Sequence, residues 1–502
     1  MRVLSFLIHD STHATKSQRM RQLLGFPALD VQVKLLTEMS HRSTVCVDTK
    51  EFDMQTSTTV TGAGLNVRRT PRAVLALSFA ALALEGYDLI MYGTVVPSLL
   101  SYQAWDLTTE RAGFLGSLAV FGMLMGALGS GALTDRIGRR KTMVLSVTLF
   151  SVAMGLCAVA GSPGQFGFFR FVVGLGAGGL MPTVVALIVE YSPRHRRSLN
   201  TAIAFTGVGI GGAFAGLLAI VLVPTYGFRA MFAVGLAPLI VVLPLLLRHL
   251  PESVEYLRAR GRADEARAVI ERHGLEVDLE SVDGSAAPVA AGDATGRRAQ
   301  VRTIFGKDLL ATTLLFWVAT FLCLLVLFGA NAWLPALMVK AGYGLGSALS
   351  FLLVLNLGAV FGTLAASPLA DRFGSKPVVA AAFLAAAGSL ALLALHPPTA
   401  VVYLLVAVAG VGTTGTQILI NTYVGSSYPT DSRATALGLS LGVGRLGGVL
   451  GPIYGGYLLA TGLPASGQFY AYAVPALVGC LVILAVPGAK RTGLMTGAGT
   501  RA

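Results

Sequence analysis

Leu133-Thr134-Asp135-Arg136-Ile137-Gly138 closes one long apolar run, and Leu369-Ala370-Asp371-Arg372-Phe373-Gly374 closes another far downstream. The apolar runs around this repeat are each about 20 residues long, the length a helix needs to cross a bilayer. They fall at 73–100, 111–134, 142–161, 166–189, 199–223 and 228–249, and again at 309–334, 345–370, 377–396, 400–424, 434–460 and 467–487. The first copy follows the second run of the first set, and the other follows the second run of the second set. A repeat at that spacing means two parallel halves. The prediction is an all-α membrane protein with twelve transmembrane helices in two six-helix halves.

Composition agrees. The 502 residues are 54% hydrophobic and only 13% charged, against roughly 25% charged in soluble domains. Mean hydropathy is +0.70. The 60 glycines suit helices that pack closely inside a membrane. A net charge of +13 would point to nucleic acid in a soluble protein. Here the basic residues gather in alternate loops, as they do on the cytoplasmic side of membrane proteins, and no nucleic-acid partner is expected. Cys46, Cys157, Cys323 and Cys480 are scattered, the seven histidines are dispersed, and neither set has metal-site spacing.

The basic loops set the topology. Arg68, Arg69 and Arg72 precede the first run; Arg136, Arg139, Arg140 and Lys141 follow the second; Arg194, Arg196 and Arg197 follow the fourth. Both termini and the central interval are therefore expected in the cytoplasm of a cell whose inner (plasma) membrane holds the chain. Residues 1–72 read as a disordered tail, with Met54 an alternative start. Residues 73–250 form the first bundle, 251–308 a cytoplasmic loop, 309–488 the second bundle and 489–502 a tail. Within the loop, Pro251 to about Leu275 suggests one short amphipathic surface helix, and 281–295 a flexible linker.

Charged residues inside the runs cost roughly 3 kcal/mol each on insertion scales, so they mark functional candidates. Glu85-Gly86-Tyr87-Asp88 places two acids at i and i+3, on one helix face, in the first run. The pair is a candidate proton or substrate site. Arg445 lies near the middle of the eleventh run, too deep to reach water easily. It is either paired with Asp88 or Glu85 or serves as counter-charge to an anionic substrate, and the second reading is favoured. Arg170 lies about a turn inside its run, where it either snorkels outward or meets an anion in the cavity. The glycines that follow, Gly174 to Gly179, resemble a nucleotide loop only superficially, since no strand precedes them and no P-loop lysine follows. They are read as helix packing. Asp135 can pair with an arginine or cap a helix start, and the basic cluster with Arg136 and Arg139 fixes topology. Glu190 reads as a latch to a loop arginine.

The chain resembles the major facilitator superfamily in its loop motif Gly131 to Lys141, and within it the aromatic acid:proton symporters. Four patterns carry the closer resemblance: Glu85-Gly86-Tyr87-Asp88 with Tyr92-Gly93 and Pro97; Arg170-Phe171 with its glycine series to Met181-Pro182; Trp333-Leu334-Pro335; and Tyr428-Pro429 with Arg433-Ala434-Thr435, leading into Gly444-Arg445. It covers roughly residues 73–488. The family's first acid is often Asp and is Glu85 here, which leaves open which carboxylate moves the proton.

The resemblance implies import of benzoate or a hydroxybenzoate with a proton, by alternating access, in a monomer with no cofactor beyond that proton and no enzymatic activity. It implies Asp88 as the proton carrier with Glu85 as its modulator, and Arg445 and Arg170 as counter-charges to the substrate. It also implies a gating role for the loop of Asp135, Arg136 and Arg139, with Asp371, Arg372 and Arg433 as the second half's gating residues. Tyr87, Tyr92 and Trp333 would flank the ring, with Asn331 nearby, and Gln417 and Asn421 would bond ring hydroxyls. A carrier of another organic acid or a drug-efflux antiporter is the alternative. Efflux pumps more often carry a Gly-Pro motif in the fifth span, and the run Gly207 to Gly216 has no proline.

Overall fold

The computed structural model describes residues 72–193, 196–273, 300 and 302–487. The expected tails, the linker 281–295, and Arg194 of the basic loops lie outside the described residues. In hydrocarbon a backbone must satisfy its own hydrogen bonds, and a helix does so within one segment. The chain accordingly runs as α1 (Arg72–Leu100), α2 (Thr109–Ile137), α3 (Arg139–Val159), α4 (Pro163–Tyr191) and α5 (Arg197–Tyr226). The sixth crossing is α6 (Phe228–Val234), α7 (Ala237–Ile240) and α8 (Val242–His249). Two short helices, α9 (Val254–Ala259) and α10 (Ala263–His273), precede the second half. That half comprises α11 (Lys307–Lys340), α12 (Leu345–Phe373), α13 (Ser375–Leu393), α14 (Thr399–Gly410) with α15 (Thr416–Ser427), α16 (Thr430–Ala460) and α17 (Ala465–Ala485). Among the described residues, 12 helical segments are long and apolar enough to cross a membrane, and each overlaps one expected run.

Three details differ from expectation. The sixth crossing is interrupted at Gly235-Leu236, just before Pro238, because proline cannot donate to the preceding turn. The tenth crossing contains a π turn, Val411–Gly415, between α14 and α15. The single amphipathic helix expected after Pro251 is two helices, broken at Gly261, which has φ +70°.

The sequence repeat is also a backbone repeat. Gly138 ends α2 at φ +94° with its N–H on the Thr134 carbonyl at 3.0 Å. Gly374 ends α12 at φ +88° with its N–H on the Ala370 carbonyl at 2.9 Å. Both conformations favour a residue without Cβ, and both turn the chain sharply into the next crossing.

Within the first half, α2 packs on α4 and α1 on α5; in the second, α11 packs on α16 and α13 on α17. The halves meet where α16 lies on α2, α11 on α1 and α12 on α5. Large apolar side chains such as Ile240, Val221, Phe361 and Leu404 stand exposed around the outside. In water such a belt would aggregate; against lipid it is the favourable face.

Candidate functional site

Charge inside the first half is concentrated on α1 and α4. Asp88 and Arg170 form an ion pair with both side chains almost fully buried, at 3% and 2% exposure. The Arg170 guanidinium also lies over the Tyr92 ring at 4.9 Å and near the Phe232 ring at 5.8 Å. The Tyr92 hydroxyl donates to the Ala112 carbonyl of α2, and the Tyr87 hydroxyl donates to the Met231 carbonyl of α6 at 2.7 Å. A charge so far from water persists only when paired, and removing one partner of such a pair costs about 3–5 kcal/mol.

Glu85 is placed differently. It is buried, yet its Oε2 has no hydrogen-bond partner. Asp88 and Arg445 both act on it electrostatically. Arg445, half-buried in α16, donates from Nη1 to the Met123 carbonyl of α2 at 3.1 Å, a bond that joins the two halves. Asp88 is held by Arg170, and of the two acids with which Arg445 could pair it is Glu85 on which Arg445 acts. Arg170 does not snorkel; its side chain is 2% exposed.

Beside Arg445, the second half's candidate polar groups are amides. Asn331 Nδ2 donates to the Leu327 carbonyl at 2.8 Å, and its Oδ1 accepts from Asn356 Nδ2 at 3.1 Å. Gln417 Nε2 donates to Asn421 Oδ1 at 2.9 Å, while Gln417 Oε1 is buried without a partner. Trp333 is fully buried and its indole N–H donates to the Pro452 carbonyl at 2.7 Å. The rings expected to flank a substrate are thus packed into their own halves: Tyr87 and Trp333 by carbonyl hydrogen bonds, Tyr92 by Arg170.

The two ends of the bundle differ. At the end carrying the α1–α2 turn, Gly93 abuts the Asn331 carbonyl and Gly113 abuts the Pro452 carbonyl, so closely that a Cβ at either position would collide. At the end carrying the basic loops, no atom lies within 4 Å of where a Cβ would stand on Gly129, Gly131, Gly438 or Gly442. The halves are in backbone contact at the first end, and these glycines at the second end face open space.

The basic-loop end also shows where the gating candidates lie. Arg139 pairs with Glu190 and, at 2.6 Å, with Glu255 of α9. Glu190 further accepts from the Ser253 hydroxyl at 2.8 Å and the Glu255 N–H at 3.1 Å. Glu252 accepts from the Arg140 N–H at 3.0 Å, and Arg260 donates to the Arg136 carbonyl at 2.5 Å. This network clamps α9 to the ends of α2, α3 and α4, all within the first half. Asp135, Arg136, Arg372 and Arg433 are exposed. None of these four forms a salt bridge among the described residues. Arg372 lies over the Phe373 ring at 5.3 Å. Asp371 sits in the last turn of α12, and its side chain is outside what is described.

Sequence reasoning missed three participants. The Met123 carbonyl is backbone and leaves no residue signature. Phe232 reads as one more apolar residue of the sixth run. Pro251-Glu252-Ser253 with Glu255 was a visible cue to the clamp, two acids beside a basic loop, but was read only as part of a surface helix.

Comparison with known proteins gives a consistent picture. Residues 78–452 and 354–496 match the Major Facilitator Superfamily. The chain is 35% identical over 418 residues to the benzoate transport protein of Acinetobacter baylyi, covering 82% of this chain and 89% of that one. It is 39% identical over 425 residues to the gentisate transporter of Corynebacterium glutamicum, covering 84% and 88% respectively. It is also 31% identical over 436 residues to the 4-hydroxybenzoate transporter PcaK of Pseudomonas aeruginosa, covering 82% and 91%. Among solved structures, the xylose transporter XylE from E. coli in an inward-open conformation superposes with a TM-score of 0.67 at 17% identity, covering 84% of this chain and 97% of that one. That last likeness speaks for the fold alone.

Proposed function

The chain belongs to the major facilitator superfamily, and from that premise we propose that it imports an aromatic carboxylate together with a proton, by alternating access between its two halves. The relatives named for benzoate, gentisate and 4-hydroxybenzoate support the substrate class, since all three are aromatic rings bearing one carboxylate. By the positive-inside rule the basic-loop end is cytoplasmic, and the open glycine positions there support an inward-open reading of the arrangement. The cell's inner membrane is the expected location.

The observation that carries the reading is the contrast between the two acids of α1. Asp88 already has its counter-ion in Arg170. Glu85 has none in hydrogen-bond contact, and the cation that acts on it, Arg445, belongs to the other half. An arginine presents five N–H groups in a planar fork suited to a carboxylate, and Arg445 commits one nitrogen to Met123. A substrate carboxylate takes the free side of that fork. If Glu85 stays ionised, the loaded centre holds two anions against Arg445, beyond the neutral Asp88–Arg170 pair. If Glu85 takes a proton, the centre is neutral, and the halves can close around it without leaving a buried charge unpaired. Substrate and proton then travel together because either alone leaves an imbalance. This reading favours Glu85 over Asp88 as the proton carrier, and assigns Asp88 and Arg170 to holding α1 against α4.

The direct test is uptake of radiolabelled benzoate and gentisate by cells expressing the chain. Uptake of at least one acid, collapsing on addition of an uncoupler, is expected. Uptake unaffected by the uncoupler would remove proton coupling from the proposal, and no uptake of any aromatic acid would remove the substrate class.

A further inference from the structure

Asn356 of α12 has no part in the transport scheme above. It lies about 16 Å along the helix from Leu345, near the middle of the crossing. Helical geometry, at about 100° per residue, shows which way it faces. Leu353 and Val360 share one stripe and meet Gly216 and Gly209 of α5, in the first half. Leu357 and Phe361 form the exposed apolar stripe that suits lipid. Gly358 and Gly362, on the far side, meet Ala407 and Val411 of the tenth crossing. Asn356 lies about 50° from the α5 stripe and about 120° from the lipid stripe, on the side of α11. It is partly exposed, and that exposure is to the space between the halves, not to lipid.

Its neighbours orient the amide. Asn331 Nδ2 donates to the Leu327 carbonyl, so Oδ1 is the end that Asn331 turns to Asn356. Asn356 Nδ2 donates to that Oδ1 at 3.1 Å and to the Leu352 carbonyl at 2.9 Å, which commits both of its N–H groups. Asn356 Oδ1 has no partner among the described residues. The cavity is thus offered a fixed acceptor and no donor. Its depth follows from the packing of α11 on α16, which run in one direction: Gly448 meets the Phe328 ring and Gly455 meets Trp333. Asn331 is three residues beyond Phe328, and Arg445 three residues before Gly448. Asn331 therefore lies about 9 Å nearer the α1–α2 turn than Arg445, where Gly93 closes on its carbonyl.

We infer that Asn356 is a specificity-determining residue at the floor of the cavity. With the substrate carboxylate on Arg445 and the ring directed at the α1–α2 end, Asn356 Oδ1 accepts a hydrogen bond from a donor on the ring edge far from the carboxylate. This rests on the aromatic-acid reading, and it places recognition of the ring on the eighth crossing rather than the tenth. Because the group presented is an acceptor, the substituent must be a donor. A hydroxyl or an amino group fits; a methoxy group at the same position, with an oxygen but no hydrogen, does not. A hydroxyl ortho to the carboxylate stays beside Arg445 and does not reach Asn356.

The experiment is competition against radiolabelled benzoate or gentisate, whichever is taken up, in the native protein, Asn356→Leu and Asn331→Leu. The competitors are benzoate, the three monohydroxybenzoates, their methoxy counterparts and the three aminobenzoates. In the native protein the 3- or 4-hydroxy compound should compete about tenfold better than both benzoate and its own methyl ether, the size of one hydrogen bond. The amino compound at that position should share the gain, and the 2-hydroxy compound should not. In Asn356→Leu the ratio of hydroxyl to methyl ether should fall to about one. In Asn331→Leu one N–H of Asn356 loses its acceptor and can turn into the cavity, so the methyl ether should gain on the hydroxyl. Each readout is a ratio within one variant, so a general loss of transport does not imitate it. The inference is overturned if the native protein shows no donor preference at the 3- or 4-position, or if that preference survives in Asn356→Leu. A preference abolished in Gln417→Met but kept in Asn356→Leu would return ring recognition to the tenth crossing. Failure of every aromatic acid to compete would instead overturn the substrate class on which the inference rests.

Discussion

Glu85 and Asp88 lie three positions apart on one helix, and yet they meet different partners. Three residues advance a helix by about 300°, so the two side chains diverge by about 60°. That is enough to turn Asp88 toward Arg170 of α4 while Glu85 comes under the influence of Arg445 of α16. The sequence shows that both acids sit at membrane depth and share a face; it does not show which cation each one meets, because Arg170 and Arg445 are distant in the chain. The same limit explains Tyr87 and Trp333. Aromatic residues beside a charged motif look like ring clamps, but their polar atoms are taken by the Met231 and Pro452 carbonyls. Asp88→Asn should lower stability by about 3–5 kcal/mol by leaving Arg170 buried without a counter-charge. Thermal unfolding in detergent checks this, and the double variant Asp88→Asn/Arg170→Met should recover much of the loss. If the double variant is as unstable as the sum of the singles, the pair is not the unit described here.

At the scale of elements, hydropathy alone located every crossing, because the hydrocarbon thickness imposes a minimum length of apolar helix. The interruptions were harder to see. In a helix that is apolar all round, periodicity carries little information, so neither the break at Gly235 nor the π turn at Val411–Gly415 left a pattern. The repeat motif was legible because it is chemical as well as apolar, and its glycines prove to be stereochemical requirements. Gly138→Val should cost about 1–2 kcal/mol in stability, since a β-branched residue is strained at φ +94°. An unchanged unfolding midpoint would show that the turn relaxes without penalty. At the opposite end, Gly93 lets α1 close on the Asn331 carbonyl of α11. Gly93→Leu should still insert into the membrane but lose uptake by about tenfold or more, because the outer end can no longer shut. Native uptake in this variant would place the outer closure elsewhere.

For the molecule as a whole, the two halves are in contact at the end carrying the α1–α2 turn and are joined by the Arg445–Met123 bond. In the proposed cycle a substrate carboxylate and the Met123 carbonyl would draw on the same guanidinium, which would link loading of the site to movement of the halves. The clamp of Arg139, Glu190 and Glu255 binds α9 to the first half. Arg139→Gln should therefore loosen α9 and lower stability without altering which acids compete for uptake. A changed competition order would mean that the clamp reaches the substrate.

In the proposed cycle Glu85, and not Asp88, carries the coupling proton. Proteoliposomes with an imposed pH gradient, acidic outside, distinguish the two when native protein and Glu85→Gln are compared for net accumulation and for exchange of labelled against unlabelled acid. The native protein should accumulate the acid and exchange it, whereas Glu85→Gln should exchange it but no longer accumulate it in response to the gradient. Gradient-driven accumulation by Glu85→Gln at the native level would rule Glu85 out as the proton carrier.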